Sequence, residues 1–371
     1  MTYRFKIFFT RKFLSLCLVP SLSLFLSCGS KPKTDEVPMV ESDIMKRAYS
    51  LSLQGNVKEA IEALRSVPES NLSVSEKNLK EKYTLRFVQK IDEPINEKDP
   101  FVKLIIQSYH SYWDKVLMQE LNEQGGAEYL FNLLKGIVES EGNLKFKEFS
   151  EQEFDRLSTA MEGQLKTRGI HGIFGMTKPH LELMIWKKEE NKKYQIPLHD
   201  GPEEVEVVLM SDFLSMGWSH YATFGRHYSG GWATKEKLFC VAPAYDLNSE
   251  SFKVSYLAHE GRHFSDYKKF PVLEQPELEY RAKLTELMMA DSTIQELLEK
   301  FRAGGENSRK SPHAFANYRV YHDLKDRLAK KDIGNIVAAP PQLVKSISEK
   351  LLNENTDALR QKGSKTVKSI L

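Results

Sequence analysis

The chain has 371 residues, with 53 Lys and Arg against 51 Asp and Glu, giving a formal net charge of +2. A balance so near neutral supplies no electrostatic basis for nucleic-acid binding, and three cysteines exclude a disulfide framework. Stability has to come from packing, and the length is enough for a large core in one or two domains.

Residues 1–27 read as an export signal: Arg4, Lys6, Arg11 and Lys12 form a basic start, and Phe13 to Leu26 form an apolar core. That core is too short, and too soon followed by polar residues, for a transmembrane helix. The signal carries four basic and no acidic residues, so its removal takes the net charge from +2 to −2. Leu24-Phe25-Leu26-Ser27-Cys28-Gly29 resembles a bacterial lipobox. The resemblance implies lipidation at Cys28 and a lipid-anchored protein of the bacterial cell envelope. Residues 28–43, polar and containing Pro32 and Pro38, then serve as a tether. With Cys17 in the signal and Cys28 lipidated, Cys240 has no disulfide partner.

Residues 44–168 are predicted to be mainly helical. Ala48 to Ile61 resembles a single tetratricopeptide-type hairpin, and one repeat reads as a packed hairpin rather than a solenoid. Two helices are expected between Pro100 and Ile137, broken at Gly125-Gly126, and another over Phe146 to Leu165, with His171 in the following loop. Phe101, Tyr109, Tyr112 and Trp113 are expected in the core.

The apolar period then shortens. Strands are expected over Leu181–Trp186, Val205–Met210 and Lys237–Ala242, with Lys187–Lys193 as a charged turn and Tyr221–Phe224 as a further candidate strand. Gly230-Gly231-Trp232 suits close backbone approach, and His220 and His227 are weak competitors as metal ligands. The Asn248, Ser249 and Ser251 cap formers open a helix carrying Ala258-His259-Glu260-Gly261-Arg262-His263-Phe264, an H-E-x-x-H motif. On a helix His259 and His263 share a face and can grip Zn²⁺ at about 2.0–2.1 Å. Glu260 then lies beside the ion, where it can take a proton from a water. A second helix opens at Gln275-Pro276 and is expected to run to Ala303-Gly304-Gly305, and a carboxylate on it would complete a His₂Glu site. A further helix begins at Ser311-Pro312-His313, a last one runs from Gln342 to Leu359, and Arg360–Lys368 reads as a loose tail.

In His259, Glu260, His263 and a downstream helical glutamate, the chain resembles the gluzincin zinc metallopeptidases. Glu279-Tyr280-Arg281-Ala282 is similar to the ligand stretch of some membrane-associated zinc endopeptidases. The resemblance implies an α+β fold, with residues 169–371 as a zincin-like domain whose last strand edges the cleft and can pair with an extended peptide. It implies His259, His263 and Glu279 as zinc ligands, with Glu286 either second in support or the true ligand. Glu260 would be the general base for peptide hydrolysis with a zinc-bound water, and His313 or Tyr318 would donate to the developing oxyanion. Where such families carry an Asp four residues after the ligand glutamate, this chain has Lys283. The partners implied are a peptide or protein substrate and a membrane reached through the lipid. The alternative is a zincin-like lipoprotein that binds a partner and does not cleave.

Overall fold

A computed structural model describes residues 42–142, 144–177 and 179–371; the expected export signal and Cys28 lie outside them. Six helices come first: α1 (Asp43–Leu53), α2 (Val57–Arg65), α3 (Val74–Tyr83), α4 (Pro100–Leu117), α5 (Glu123–Ser140) and α6 (Glu151–Thr167). The sequence sets where each begins. Ser42, Asn56, Ser73, Asp99, Asn122 and Ser150 each accept a backbone N–H from the first turn with a side-chain oxygen. The break between α4 and α5 falls at residues 118–122, earlier than the glycine pair suggested. Gly126 lies inside α5, where a Cβ would meet Val116 at 2.6 Å and Tyr112 at 2.9 Å. Its lack of a side chain lets α5 lie close on α4.

Five strands form a mixed sheet: β1 (His171–Thr177), β2 (His180–Ile196), β3 (Glu203–Met216), β4 (Gly231–Ala233) and β5 (Leu238–Val241). Their order is β1-β2-β3-β5-β4, with β3 and β5 parallel and the other pairs antiparallel. The charged run at 187–193 is strand and not a turn. It pairs along β3, where Lys188 meets Asp212 at 2.7 Å and Lys193 meets Glu204 at 3.5 Å. Here β2 is the edge strand beside the buried β3, and an exposed edge needs no apolar alternation of its own, which is why the pattern failed to reveal it. His171 is likewise in a strand, its ring stacked 5.9 Å from that of its cross-strand partner Trp186.

Residues 221–224 are not a strand. Trp218–Ala222 forms the short helix α7, whose first N–H is accepted by the Glu182 carboxylate at 2.9 Å. Nor is the strand before the motif helix an edge, because β4 lies outside β5. Gly231, at φ +155°, could carry no Cβ: one would stand 2.3 Å from the Phe239 carbonyl oxygen and 2.4 Å from the Tyr256 ring. Close approach was the expected role of this glycine pair.

Beyond the sheet, a π-helical segment Phe252–Ala258 runs directly into α8 (His259–Lys269), followed by α9 (Gln275–Met289), α10 (Ile294–Ala303), α11 (Pro312–Ala329) and α12 (Pro341–Lys362). The expected single helix from 275 to 303 is two, divided at residues 290–293. There the Glu250 carboxylate accepts the backbone N–H groups of Asp291, Ser292 and Thr293. The tail is not loose: Val367 is buried with Phe270, Leu273, Leu278 and Leu359. Among the described residues no helix is long and apolar enough to cross a membrane.

Packing ties these parts together. The change from helix to strand falls between Thr167 and His171, and one core crosses it, joining Trp113 and Leu165 to Leu181, Leu183 and Trp218. The central strands are apolar on both faces. Val207 and Leu209 pack on Tyr256, Leu257 and Phe264, whereas Val208 and Met210 face Trp186 and Trp232. The π segment and α8 are thereby pressed against one face of the sheet.

Buried charge fixes α8 against α9 and α12. Asp266 accepts from Arg281 Nε at 2.7 Å and Nη2 at 3.0 Å, and Arg262 Nη1 lies 3.6 Å away. Arg281 Nη1 also donates to Asn355 at 2.8 Å, and Arg262 Nη2 donates to Asp200 at 2.7 Å. Burial alone would raise the Asp200 carboxyl, but the hydrogen bonds and charges of Arg262 and Lys269 outweigh it and hold it well below the usual carboxylate range. Removing one partner of such a network leaves uncompensated guanidinium charge. Asp266→Ala is expected to destabilise the fold by about 3–5 kcal/mol, read as a lower thermal midpoint. Because the folded Asp200 carboxyl is depressed, its share of stability is present above about pH 4 and lost as pH falls below it. In Asp200→Asn the acid side of the stability profile should flatten.

Candidate metal centre

The H-E-x-x-H motif forms the first turns of α8, and α9 crosses it through a charged stretch that is buried from Pro276 to Leu287. His259 and His263 project their Nε2 atoms to within 3.1 Å of each other. The Glu279 carboxylate closes a triangle, 3.4 Å from His259 Nε2 through one oxygen and 3.3 Å from His263 Nε2 through the other. A tetrahedral ion bound at about 2.0–2.1 Å would hold its ligand atoms about 3.3 Å apart, so the three edges suit such an ion.

The chemistry of the donors agrees with the geometry. Both Glu279 oxygens are buried without an aligned hydrogen-bond donor. Buried polar atoms are rarely left so unless something else fills them. His259, His263 and Glu279 thus form a buried group that could hold a metal ion.

Glu286 has the supporting position. Its Oε1 lies 2.6 Å from His259 Nδ1, on the side of the ring away from Glu279. A carboxylate at Nδ1 fixes the ring and its tautomer and directs Nε2 at the ion. Support was one of the two roles expected of Glu286, in place of the Asp that the resembled families carry four places after the ligand glutamate. Here it comes from the residue seven places on, and Lys283, at the fourth, lies with its Nζ 5.0 Å from the Phe301 ring centre.

Glu260 is 1% exposed, and one of its carboxylate oxygens is buried without a hydrogen-bond partner. Burial raises its pKa, the neighbouring Glu279 and Glu286 charges add to the rise, and His259 and His263 oppose it. A carboxylate whose pKa is moved toward neutrality is suited to taking and returning a proton.

His313, in the first turn of α11, joins the group: its Nδ1 is 2.8 Å from Glu279 Oε2 and its ring lies parallel to that of His259 at 6.1 Å. Tyr318 does not join it. Its ring packs on His322, with centroids 4.2 Å apart. His220, half-buried, and His227, buried, lie elsewhere, both pushed down to about 4 by desolvation. Tyr267 was overlooked in the sequence, although it stands four residues after His263 on the same face and stacks on that ring at 6.3 Å.

Burial alone would lower the His259 pKa, but its contacts with Glu279 and Glu286 outweigh this and raise it to about 10. At neutral pH the ring is therefore a cation with a proton where an ion would bind. Metal uptake at pH 7.5 is expected to release about one proton per ion, measurable by calorimetry in buffers of differing ionisation enthalpy, and affinity should rise with pH. His263→Ala and Glu279→Gln should abolish stoichiometric zinc. Glu286→Gln should keep it at an affinity reduced about 10–100-fold in chelator competition. Full affinity in Glu279→Gln with loss in Glu286→Gln would reverse the two roles.

Comparison of the chain with protein-family models, with curated proteins and with solved structures gives no significant match.

Proposed function

We propose that this protein is a zinc-dependent peptidase of the gluzincin kind, its domain zincin-like and its chain anchored to a bacterial envelope membrane at Cys28. The observation that carries the reading is the convergence of two imidazole Nε2 atoms and one carboxylate, within 3.4 Å of one another, beside an unpartnered glutamate oxygen. The expected mature charge of −2 supplies no electrostatic basis for a nucleic-acid substrate and agrees with a peptide one.

His259, His263 and Glu279 would hold the ion. When bound, the ion supplies Lewis acidity, lowering the pKa of a water to about 7. Glu260 takes the proton of the attacking water and delivers it to the leaving amine. Glu286 keeps His259 oriented throughout by holding Nδ1. His313 turns its Nδ1 to Glu279 at 2.8 Å and leaves its Nε2 buried and unpartnered, so it would donate to negative charge developing on the peptide oxygen only with a proton on both ring nitrogens.

A second reading, a metal-holding lipoprotein that binds a partner without cleaving, is favoured by one observation. Glu260 and Glu279 are each only 1% exposed, so a substrate has no direct access in this conformation.

Glu260→Gln separates the two readings. It retains size and removes the base, so peptide cleavage should fall about 10²–10⁴-fold. Zinc content should stay at the parental level, since Glu260 is not a ligand. Loss of zinc together with activity would make Glu260 structural. A parent that holds zinc yet cleaves nothing in a broad peptide library would favour the partner-binding reading.

A further inference from the structure

A site closed to solvent can act on a peptide only if a segment moves, and the structure points to which one. Of the residues around the proposed ion, His313 is the most exposed, at 18% of its side chain, against 1–4% for His259, His263, Glu279 and Glu286. Solvent therefore lies nearest on the side of α11's first turn. The loop 304–311 leads into that turn, and no residue between Phe301 and Phe315 is buried. A segment with so little apolar anchoring belongs to the low-stability end of a fold.

The loop is held to α11 by Asn317, whose Nδ2 donates to the Gly304 carbonyl at 3.2 Å, and by the Glu306 N–H on the Ala314 carbonyl at 2.9 Å, whereas its tie to α9 is the Arg309 side chain. Arg309 Nη2 donates to both oxygens of Glu277 at 2.9 Å and to Glu274 at 3.1 Å, and its Nη1 reaches the Leu371 carbonyl at 3.3 Å. Glu277 is fully buried on the first turn of α9, two residues before Glu279. The segment after α12 meets the same carboxylate: Ser369 Oγ donates to it at 2.6 Å, and the Lys368 carbonyl accepts the Glu274 N–H at 2.9 Å. Two successive contacts thus pin the loop to the helix that bears the carboxylate ligand, Arg309 on Glu277 and His313 on Glu279.

We propose that residues 304–311 form a gate over the site, latched by Arg309 on Glu277. Release of the latch withdraws His313 from Glu279 and admits substrate. The inference rests on the reading of His259, His263 and Glu279 as the working site, and it explains how a site so buried can turn over. The latch is suited to reversible opening: the Arg309 side chain is 35% exposed, so water can replace its bonds, while Glu277 stays fixed in α9.

The test uses the full chain, metal-free and zinc-loaded, as parent, Arg309→Ala and Arg309→Lys. Amide hydrogen exchange is followed at 304–313 and in α4, together with the rate at which zinc passes to a chelator. Arg309→Ala should speed exchange at 304–313 by about 10–100-fold, the factor for losing a charge-assisted hydrogen-bonded pair, and leave α4 unchanged. Zinc transfer should accelerate alongside it, and Arg309→Lys, which keeps the charge and loses the fork, should fall between. Unchanged exchange at 304–313 in a zinc-holding parent and variant would overturn the gate alone. So would equal acceleration in α4, which marks global destabilisation, or faster exchange with unchanged zinc transfer. A parent that holds no zinc would overturn the metal reading, and the gate with it.

Discussion

The contact on which the site depends is the one from His259 Nδ1 to Glu286, 2.6 Å long and buried between α8 and α9. An imidazole has two nitrogens, and a metal ligand must offer one of them as a free lone pair. Holding Nδ1 from α9 forces Nε2 toward His263 and Glu279. The crossing of the two helices then decides whether Glu279 and Glu286 can reach opposite sides of one ring. The π-helical segment before His259 and the apolar faces of β3 and β5 press α8 into that crossing. The Arg262–Asp266–Arg281 network locks it from the other side.

Such an arrangement is costly to build. Glu260, Glu277, Glu279 and Glu286 are all at most 3% exposed, in company with Arg262 and Arg281 at zero. Charges so deep are tolerated only when paired, and where His259, His263 and Glu279 converge the carboxylates of Glu279 and Glu286 share one imidazole of opposite sign, His259. There the His259 cation is the metal-free substitute for an ion. A divalent cation would relieve the negative excess of the glutamates more completely, which is the physical case for a metal in this fold.

Much of the candidate metal group was legible from spacing alone, because residues three and four apart on a helix share a face whatever the fold. His259, Glu260 and His263 needed nothing more. Glu279 and Glu286 were both visible as candidates, but their division of labour was not, since it depends on where α9 crosses α8. The helical character of residues 44–168 was legible in their apolar pattern. The far half of β2 was not, because as an exposed edge beside β3 it carries charge on both faces. The burial of α9 was also hidden: a helix bearing Glu277, Glu279, Arg281, Lys283 and Glu286 looks like a solvated surface in the sequence, and only the partners supplied by α8, α11, α12 and the last segment make it a core element. Arg309 and Glu277 gave no signal for the same reason, lying thirty-two residues apart with no period to link them.

The central claim is that one metal ion is held by two imidazoles and one carboxylate at His259, His263 and Glu279. Zinc-edge X-ray absorption of the zinc-loaded protein tests it most directly. The account predicts a first shell of nitrogen and oxygen only, at about 2.0–2.1 Å, with the outer-shell scattering of two imidazole rings. A sulfur at about 2.3 Å, which Cys240 alone among the described residues could supply from a thiol, would contradict it, as would a shell with no imidazole signature.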